Sequence, residues 1–161
     1  MMISVGDKLP EATFMTMTAE GPMPVTTDEV FAGKKVVVFA LPGAFTPTCH
    51  KTHLPGFVAH ADEIRAKGVD AIVCLSVNDV FVMDAWGKLV SPEGKIMMLA
   101  DGNGDFARAT GTDMDGSGFG MGLRCQRYSM IVDDGVVTTF NIGDKSGEAE
   151  ISGAETILKE L

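Results

Sequence analysis

The sequence lacks the features of a membrane-spanning, secreted or nucleic-acid-binding protein. No apolar run reaches the roughly 18 residues that a membrane span needs, and the first residues show no basic segment followed by an apolar stretch and a cleavage site. Basic residues are scarce, since 13 Lys and Arg face 22 Asp and Glu, giving a net charge of -9. This charge repels nucleic acid and anionic membranes. Neither is expected as a partner, and a cytoplasmic location is predicted.

Cysteine is also scarce, because the chain has only Cys49, Cys74 and Cys125. These three residues form neither a disulfide framework nor the C-x-x-C spacing of dithiol and metal sites. A thiol-disulfide oxidoreductase, which needs a second neighbouring cysteine, is therefore disfavoured. We expect reduced thiols in a reducing compartment.

The main pattern in the sequence is an alternation of predicted strands and helices. With 161 residues, 45% of them hydrophobic, the chain suits a single domain over 1–161. Apolar runs and periodicity predict strands at 35–41, 69–77, 95–100, 128–133 and 136–141, and helices at 54–67, 80–89 and 152–161. Asp134-Gly135 predicts a hairpin turn, and Ser152 is a candidate helix cap. The order predicts an α/β fold whose mixed sheet carries helices on its faces.

The segment Pro42-Gly43-Ala44-Phe45-Thr46-Pro47-Thr48-Cys49 places a cysteine at a predicted helix start, behind a loop bracketed by prolines. Free N–H groups and the positive end of the helix dipole stabilise a thiolate there. Thr46 is close enough in sequence to hydrogen-bond the sulfur or an oxygen held beside it. Burial as a small hydrophobic residue is the alternative for Cys49, but the loop favours a reactive nucleophile.

The other two cysteines have different surroundings. Cys74 lies inside an apolar strand, where burial disfavours the thiolate, so it is interpreted as core packing. Cys125 stands between Arg124 and Arg127 at a loop-to-strand junction. It is therefore either moderately reactive or merely exposed.

Two further patterns suggest a bound group only weakly. His50 and His53 follow Cys49, but His60 would lie about three turns farther along the helix, and there is no second ligand cluster. The glycine-rich segment 116–122 neither follows a predicted strand nor opens a helix, and no Walker-type Lys-Ser/Thr pair follows it. We therefore expect no metal and no cofactor, and predict a flexible loop at 116–122.

The segment P-G-A-F-T-P-T-C-H-K-T-H-L-P-G-F, from Pro42 to Phe57, resembles the active-site segment of the peroxiredoxins, which are thiol peroxidases with a thioredoxin-like fold. The shared pattern is P-x-x-x-T-x-x-C. Similarity to the peroxiredoxin-five branch extends nearly end to end, through the segments 67–79, 99–101 and 127–135.

The resemblance implies that Cys49 is the peroxidatic cysteine and that Pro42, Thr46 and Arg127 complete the site. Arg127 would place a permanent cation beside the sulfur. Arg124 is its rival, but only Arg127 stands directly before the aromatic-Ser-Met sequence of the strand, as the family's arginine does. The implied reaction reduces hydrogen peroxide and organic hydroperoxides through a sulfenic acid on Cys49.

Many members of this branch carry a resolving cysteine near the C-terminus, but residues 141–161 contain none. An external reductant is therefore expected, with glutathione and glutaredoxin favoured and thioredoxin second, while Cys125 remains open as an unconventional resolver. The resemblance also implies a homodimer. The alternative function is a redox-sensing interaction module in which oxidation of Cys49 alters a partner contact.

Overall fold

A seven-stranded mixed sheet lies at the centre of the structure, a computed structural model that describes residues 1–161. The nine strands are β1 (Thr13–Thr18), β2 (Gly21–Thr26), β3 (Lys35–Ala40), β4 (Ala71–Ser76), β5 (Met97–Ala100), β6 (Asp113–Asp115), β7 (Leu123–Cys125), β8 (Tyr128–Asp133) and β9 (Val136–Ile142). The order across the sheet is β2-β1-β5-β4-β3-β8-β9, and β6 and β7 form a separate antiparallel pair. Strands β3, β4 and β5 are parallel, whereas the other neighbours are antiparallel.

Helices cover both faces of the sheet. They are α1 (Thr27–Phe31), α2 (Leu54–Ala66), α3 (Val80–Val90), α4 (Asp105–Thr110) and α5 (Ala154–Glu160). A π-helical segment at Cys49–His53 leads directly into α2, and a short 3₁₀ turn occupies Ser117–Phe119. None of these helices is both long and apolar enough to cross a lipid bilayer.

The period-2 geometry of β3 divides its side chains between two cores. Val36 and Val38 pack on one face with residues of α1 and α4, while Val37 and Phe39 pack on the other with residues of α2, α3 and α5. The Phe39 ring stacks on Phe57 of α2 with centroids 4.0 Å apart. After Lys35 the strand is apolar, because both of its faces are buried.

The predicted strands, the two central helices and the mixed sheet are confirmed, with small shifts of boundaries. Asp134 and Gly135 have φ of 48° and 79°, as the predicted hairpin turn requires. The prediction that Ser152 caps the last helix is wrong. Gly153 occupies the cap position, and the Ser152 hydroxyl donates to Asp144 instead.

The N-terminal hairpin of β1 and β2, the short helices α1 and α4, and the pair β6–β7 were not predicted from the sequence. The glycine-rich segment 116–122 is a loop, as predicted, and joins β6 to β7. It is closed by a hydrogen bond from the Gly116 N–H to the Gly122 carbonyl.

Candidate active site

Cys49 lies where the chain turns from the end of β3 into a helix. The Thr46 carbonyl accepts a hydrogen bond from the His50 N–H, and the Cys49 carbonyl accepts one from the Leu54 N–H across the wider π turn. That turn precedes Pro55, which has no N–H to donate to a regular helix. The Cys49 side chain is 0% exposed. It is therefore a buried thiol in the first turns of a helix.

Arg127 brings a cation to this sulfur. Its Nη2 donates a hydrogen bond to the Cys49 Sγ at 3.1 Å. The contact follows from the sheet, because β8 is antiparallel to β3 and Tyr128 pairs with Ala40. The residue before β8 thus lies beside the loop that follows β3. The guanidinium remains charged at all relevant pH values and stabilises negative charge on the sulfur.

His53 is the second partner of Arg127. The Arg127 Nη1 contacts the His53 Nδ1 at 2.8 Å, and the His53 Nε2 lies 3.0 Å from the Ser152 carbonyl oxygen. Because a guanidinium only donates, Nδ1 must accept, so Nε2 carries the proton and donates to Ser152. Burial, together with the charge of Arg127, lowers the pKa of His53 from 6.5 to about 4. The imidazole is therefore neutral at physiological pH.

The structure thus gives His53 a contact that the sequence analysis missed, since His53 was considered only as a metal ligand. The sequence feature that could have indicated this role is the spacing of four residues between Cys49 and His53, which puts both side chains on one helix face. Its partners, Arg127 and Ser152, lie 74 and 99 residues away in sequence. The pattern of the chain alone does not reveal such contacts.

Thr46 and Pro42 shape the loop in front of the sulfur. The Thr46 hydroxyl donates to the Gly43 carbonyl at 2.6 Å. The hydroxyl proton is therefore already hydrogen-bonded, while the hydroxyl oxygen can still accept a hydrogen bond. Arg124 donates from Nη1 to the Pro42 carbonyl at 3.3 Å and from Nε to the Met121 carbonyl at 3.0 Å. Of the two arginines, Arg127 contacts the sulfur and Arg124 braces the loop.

The remaining cysteines are buried among apolar side chains. Burial raises the pKa of Cys74 well above its usual value, in accord with its interpretation as core packing. Cys125 is 3% exposed and its thiol donates to the Leu41 carbonyl. Burial raises its pKa to about 12. The expectation that Cys125 is reactive or exposed is therefore wrong, because β7 turns this side chain into the core.

The three histidines face different partners. His50 accepts from the Trp86 Nε1 at 3.0 Å, His60 pairs with Glu63 at the surface, and His53 contacts Arg127. No group of three or more His, Cys, Asp or Glu side chains is arranged to hold a metal ion.

Comparison with known proteins identifies the family. The Redoxin family model matches residues 4–158. Peroxiredoxin-2E, a chloroplastic protein of Arabidopsis thaliana, is 46% identical over 99% of this chain and 69% of that protein. Peroxiredoxin-2C of Oryza sativa subsp. japonica is 44% identical over 99% of this chain and 98% of that protein. The chain belongs to the peroxiredoxin family. This peroxiredoxin is thus a peroxidase of the oxidoreductase class.

Solved structures agree with this assignment. Reduced Prx3 from Vibrio vulnificus in complex with H₂O₂ is 53% identical to this peroxiredoxin, with a TM-score of 0.93 and coverage of 99% of both chains. Peroxiredoxin 5 from Alvinella pompejana is 36% identical, with a TM-score of 0.85, over 98% of this chain and 96% of that one. The predicted thioredoxin-like fold and the predicted family are confirmed.

Proposed function

We propose that Cys49 is the peroxidatic nucleophile of this peroxiredoxin. Its thiolate attacks one oxygen of a hydroperoxide, so that an S–O bond forms as the O–O bond breaks. The products are Cys49 sulfenic acid and an alkoxide or hydroxide, which takes up a proton to leave as alcohol or water. The observation that carries the proposal is the Arg127 guanidinium 3.1 Å from a sulfur that is otherwise fully buried.

The neighbouring residues have complementary tasks in this proposal. Arg127 stabilises both the thiolate and the charge that develops on the peroxide oxygens. The Thr46 oxygen, whose own proton is bonded to Gly43, is suited to accept a hydrogen bond from the bound hydroperoxide. Pro42 keeps the loop rigid and limits the access of water.

Matched substitutions of the three buried cysteines test the assignment. We expect Cys49→Ser to abolish peroxide consumption, because a serine hydroxyl is not ionised at neutral pH. Cys74→Ser and Cys125→Ser should retain most of the activity, since these thiols lie among apolar side chains and receive no hydrogen bond from Arg127. A variant with Ser at position 49 that still turns over peroxide would refute the role of Cys49.

We also propose that recycling uses an external thiol, with glutathione and glutaredoxin first and thioredoxin second. Residues 141–161 contain no cysteine. Cys125 is a weak resolver, because its pKa of about 12 leaves almost no thiolate at neutral pH. A cytoplasmic location, which would supply such a thiol pool, stays a prediction, as some relatives are chloroplastic.

Steady-state peroxide turnover with glutathione plus glutaredoxin, glutathione alone and thioredoxin tests the choice of reductant. We expect the fastest turnover in the first mixture. Mass spectrometry of the peroxide-treated protein provides the control, because an internal disulfide between Cys49 and Cys125 would contradict external recycling. Slow recycling with every reductant would instead favour the redox-sensing function.

We propose that the chain forms a homodimer through an aromatic patch beside the active site, made of Phe45, Phe81 and Phe119. These side chains are 47%, 63% and 90% exposed. The loops are adjacent, since Asn78, two residues before α3, accepts from the Ala44 N–H. The Met121 side chain, next to Phe119, lies against Gly43. Covering three exposed aromatic rings favours self-association, and the family resemblance indicates a second copy.

Two equally exposed residues of α3 provide a matched test of the dimer. Phe81 lies in the proposed patch, whereas Leu89 is 64% exposed at the far end of the helix. We expect Phe81→Asp to shift sedimentation equilibrium toward monomer and Leu89→Asp to leave it unchanged. A monomeric wild-type protein, or equal effects of both substitutions, would rule out this interface.

A further inference from the structure

A loop near the C-terminus is closed around one carboxylate. The Asp144 Oδ1 accepts from the backbone N–H groups of Glu150 and Ile151 at 2.9 and 2.7 Å, and its Oδ2 accepts from the Ser152 N–H at 3.0 Å. The Ser152 hydroxyl donates to the same Oδ2. Burial alone would raise the pKa of Asp144, but these hydrogen bonds outweigh it and lower the pKa. Asp144 is therefore an ionised clamp for the residues that precede α5.

The clamp holds the Ser152 carbonyl against the active site. Ser152 is 0% exposed and His53 is 1% exposed, so neither the carbonyl nor the His53 Nε2 can exchange its partner for bulk water. A buried donor that loses its acceptor is strongly disfavoured. The position of the Ser152 carbonyl thus selects the tautomer with the proton on Nε2. That tautomer is the one whose Nδ1 can accept from Arg127.

We propose that Asp144 is a positioning residue for the peroxide reaction, acting on Arg127 through Ser152 and His53. The proposal rests on the proposed roles of Cys49 and Arg127. When the Ser152 carbonyl is displaced, the His53 Nε2–H has no acceptor, and the tautomer with the proton on Nε2 is no longer favoured. A ring with its proton on Nδ1 would point that N–H at the guanidinium and turn Arg127 away from the sulfur.

The state of the His53 ring provides a test that does not depend on activity. In the ¹⁵N-labelled wild-type protein at pH 7, the ring nitrogens should give the spectrum of the neutral tautomer with the proton on Nε2. An Nδ1-protonated or a charged ring would overturn the proposal without any substitution. In Asp144→Asn, the amide would present a donor to Ser152, and we expect a second tautomer or a mobile ring to appear.

A matched control separates the clamp from ordinary loop stabilisation. Asp7 accepts from the Ser4 N–H and hydroxyl, as Asp144 does from Ser152, but no side-chain hydrogen bond of Cys49, Arg127 or His53 goes to its loop. We expect Asp144→Asn to slow oxidation by hydrogen peroxide about five- to tenfold, the equivalent of one lost buried hydrogen bond. Asp7→Asn should leave the rate unchanged. The fluorescence of Trp86, the single tryptophan, reports the rate, because its indole bonds to His50 next to Cys49.

A double-mutant cycle then tests whether Asp144 acts through His53. In a His53→Ala background, Asp144→Asn should slow oxidation less than twofold, because the connection is already broken. Equal losses in both backgrounds would overturn the proposal, as would an unchanged His53 spectrum in Asp144→Asn. A wild-type protein that does not react with peroxide would refute the proposed function, whereas the spectrum would still decide whether the clamp orients His53.

Discussion

Acidification should destabilise this protein through His53. The pKa of His53 is about 4 in the folded protein and 6.5 ordinarily, because burial and Arg127 disfavour the charged ring. The contribution of the neutral ring to stability is therefore fully present above pH 6.5. It is lost as the pH falls toward 4, since the unfolded chain then binds a proton that the folded protein does not. The difference between 6.5 and about 4 corresponds to roughly 3 kcal/mol in full, and to about 2 kcal/mol at pH 5 relative to pH 8.

Denaturant unfolding of the wild-type protein and of His53→Asn at pH 8 and pH 5 measures this contribution. Both proteins carry the same carboxylates, so the difference between their pH dependences isolates residue 53. Asparagine does not titrate, and its side-chain oxygen can replace Nδ1 as an acceptor for Arg127. We expect the wild-type protein to lose about 2 kcal/mol more than the variant, at one fixed protein concentration. Equal losses would show that the folded protein accommodates a charged His53, which would refute the neutral-ring argument.

Three further predictions concern the site and the core. Arg127→Gln should slow oxidation of Cys49 about 10- to 100-fold, because a charge-assisted hydrogen bond to the sulfur is removed. Arg124→Gln should slow this oxidation less. If stopped-flow rates showed the reverse order, the roles assigned to the two arginines would have to be exchanged. Phe57→Ala removes the ring stacked on Phe39 and should lower the free energy of unfolding by about 3–5 kcal/mol in urea titration. Asp79→Ala removes the cap of α3 and should cost about 1 kcal/mol, whereas an unchanged melting temperature would contradict a capping role.

The centre of the fold was predictable because its strands are buried on both faces. A run such as Lys35–Leu41 has few alternatives to a central strand, and Asp134-Gly135 has few alternatives to a tight turn. The N-terminal hairpin was not predictable in this way. Strand β2 reads Gly-Pro-Met-Pro-Val-Thr, and it tolerates two prolines because it lies at the edge of the sheet. The sequence of β2 therefore has the pattern of a loop and does not predict a strand.

The candidate site was predictable only in part, for a related reason. The helix start and the proline-bracketed loop are local features, so Cys49 could be identified from its immediate neighbours. The orientation of Cys125 depends on how β7 packs and is not encoded in the adjacent arginines. The Asp144 clamp joins groups six to eight residues apart by side-chain contacts within an irregular loop, for which no periodic pattern exists.

The neutrality of His53 has a consequence for the charge at the sulfur. None of the salt bridges in the structure involves Arg127, whose side-chain hydrogen bonds go to the Cys49 Sγ and to His53. A carboxylate in the place of His53 would orient the guanidinium equally well, but it would also compete with the thiolate for the positive charge. A neutral imidazole fixes the direction of Arg127 and leaves its charge directed at the sulfur. In a chain with a net charge of -9, this keeps a half-buried cation available for the one anion that the proposed chemistry requires.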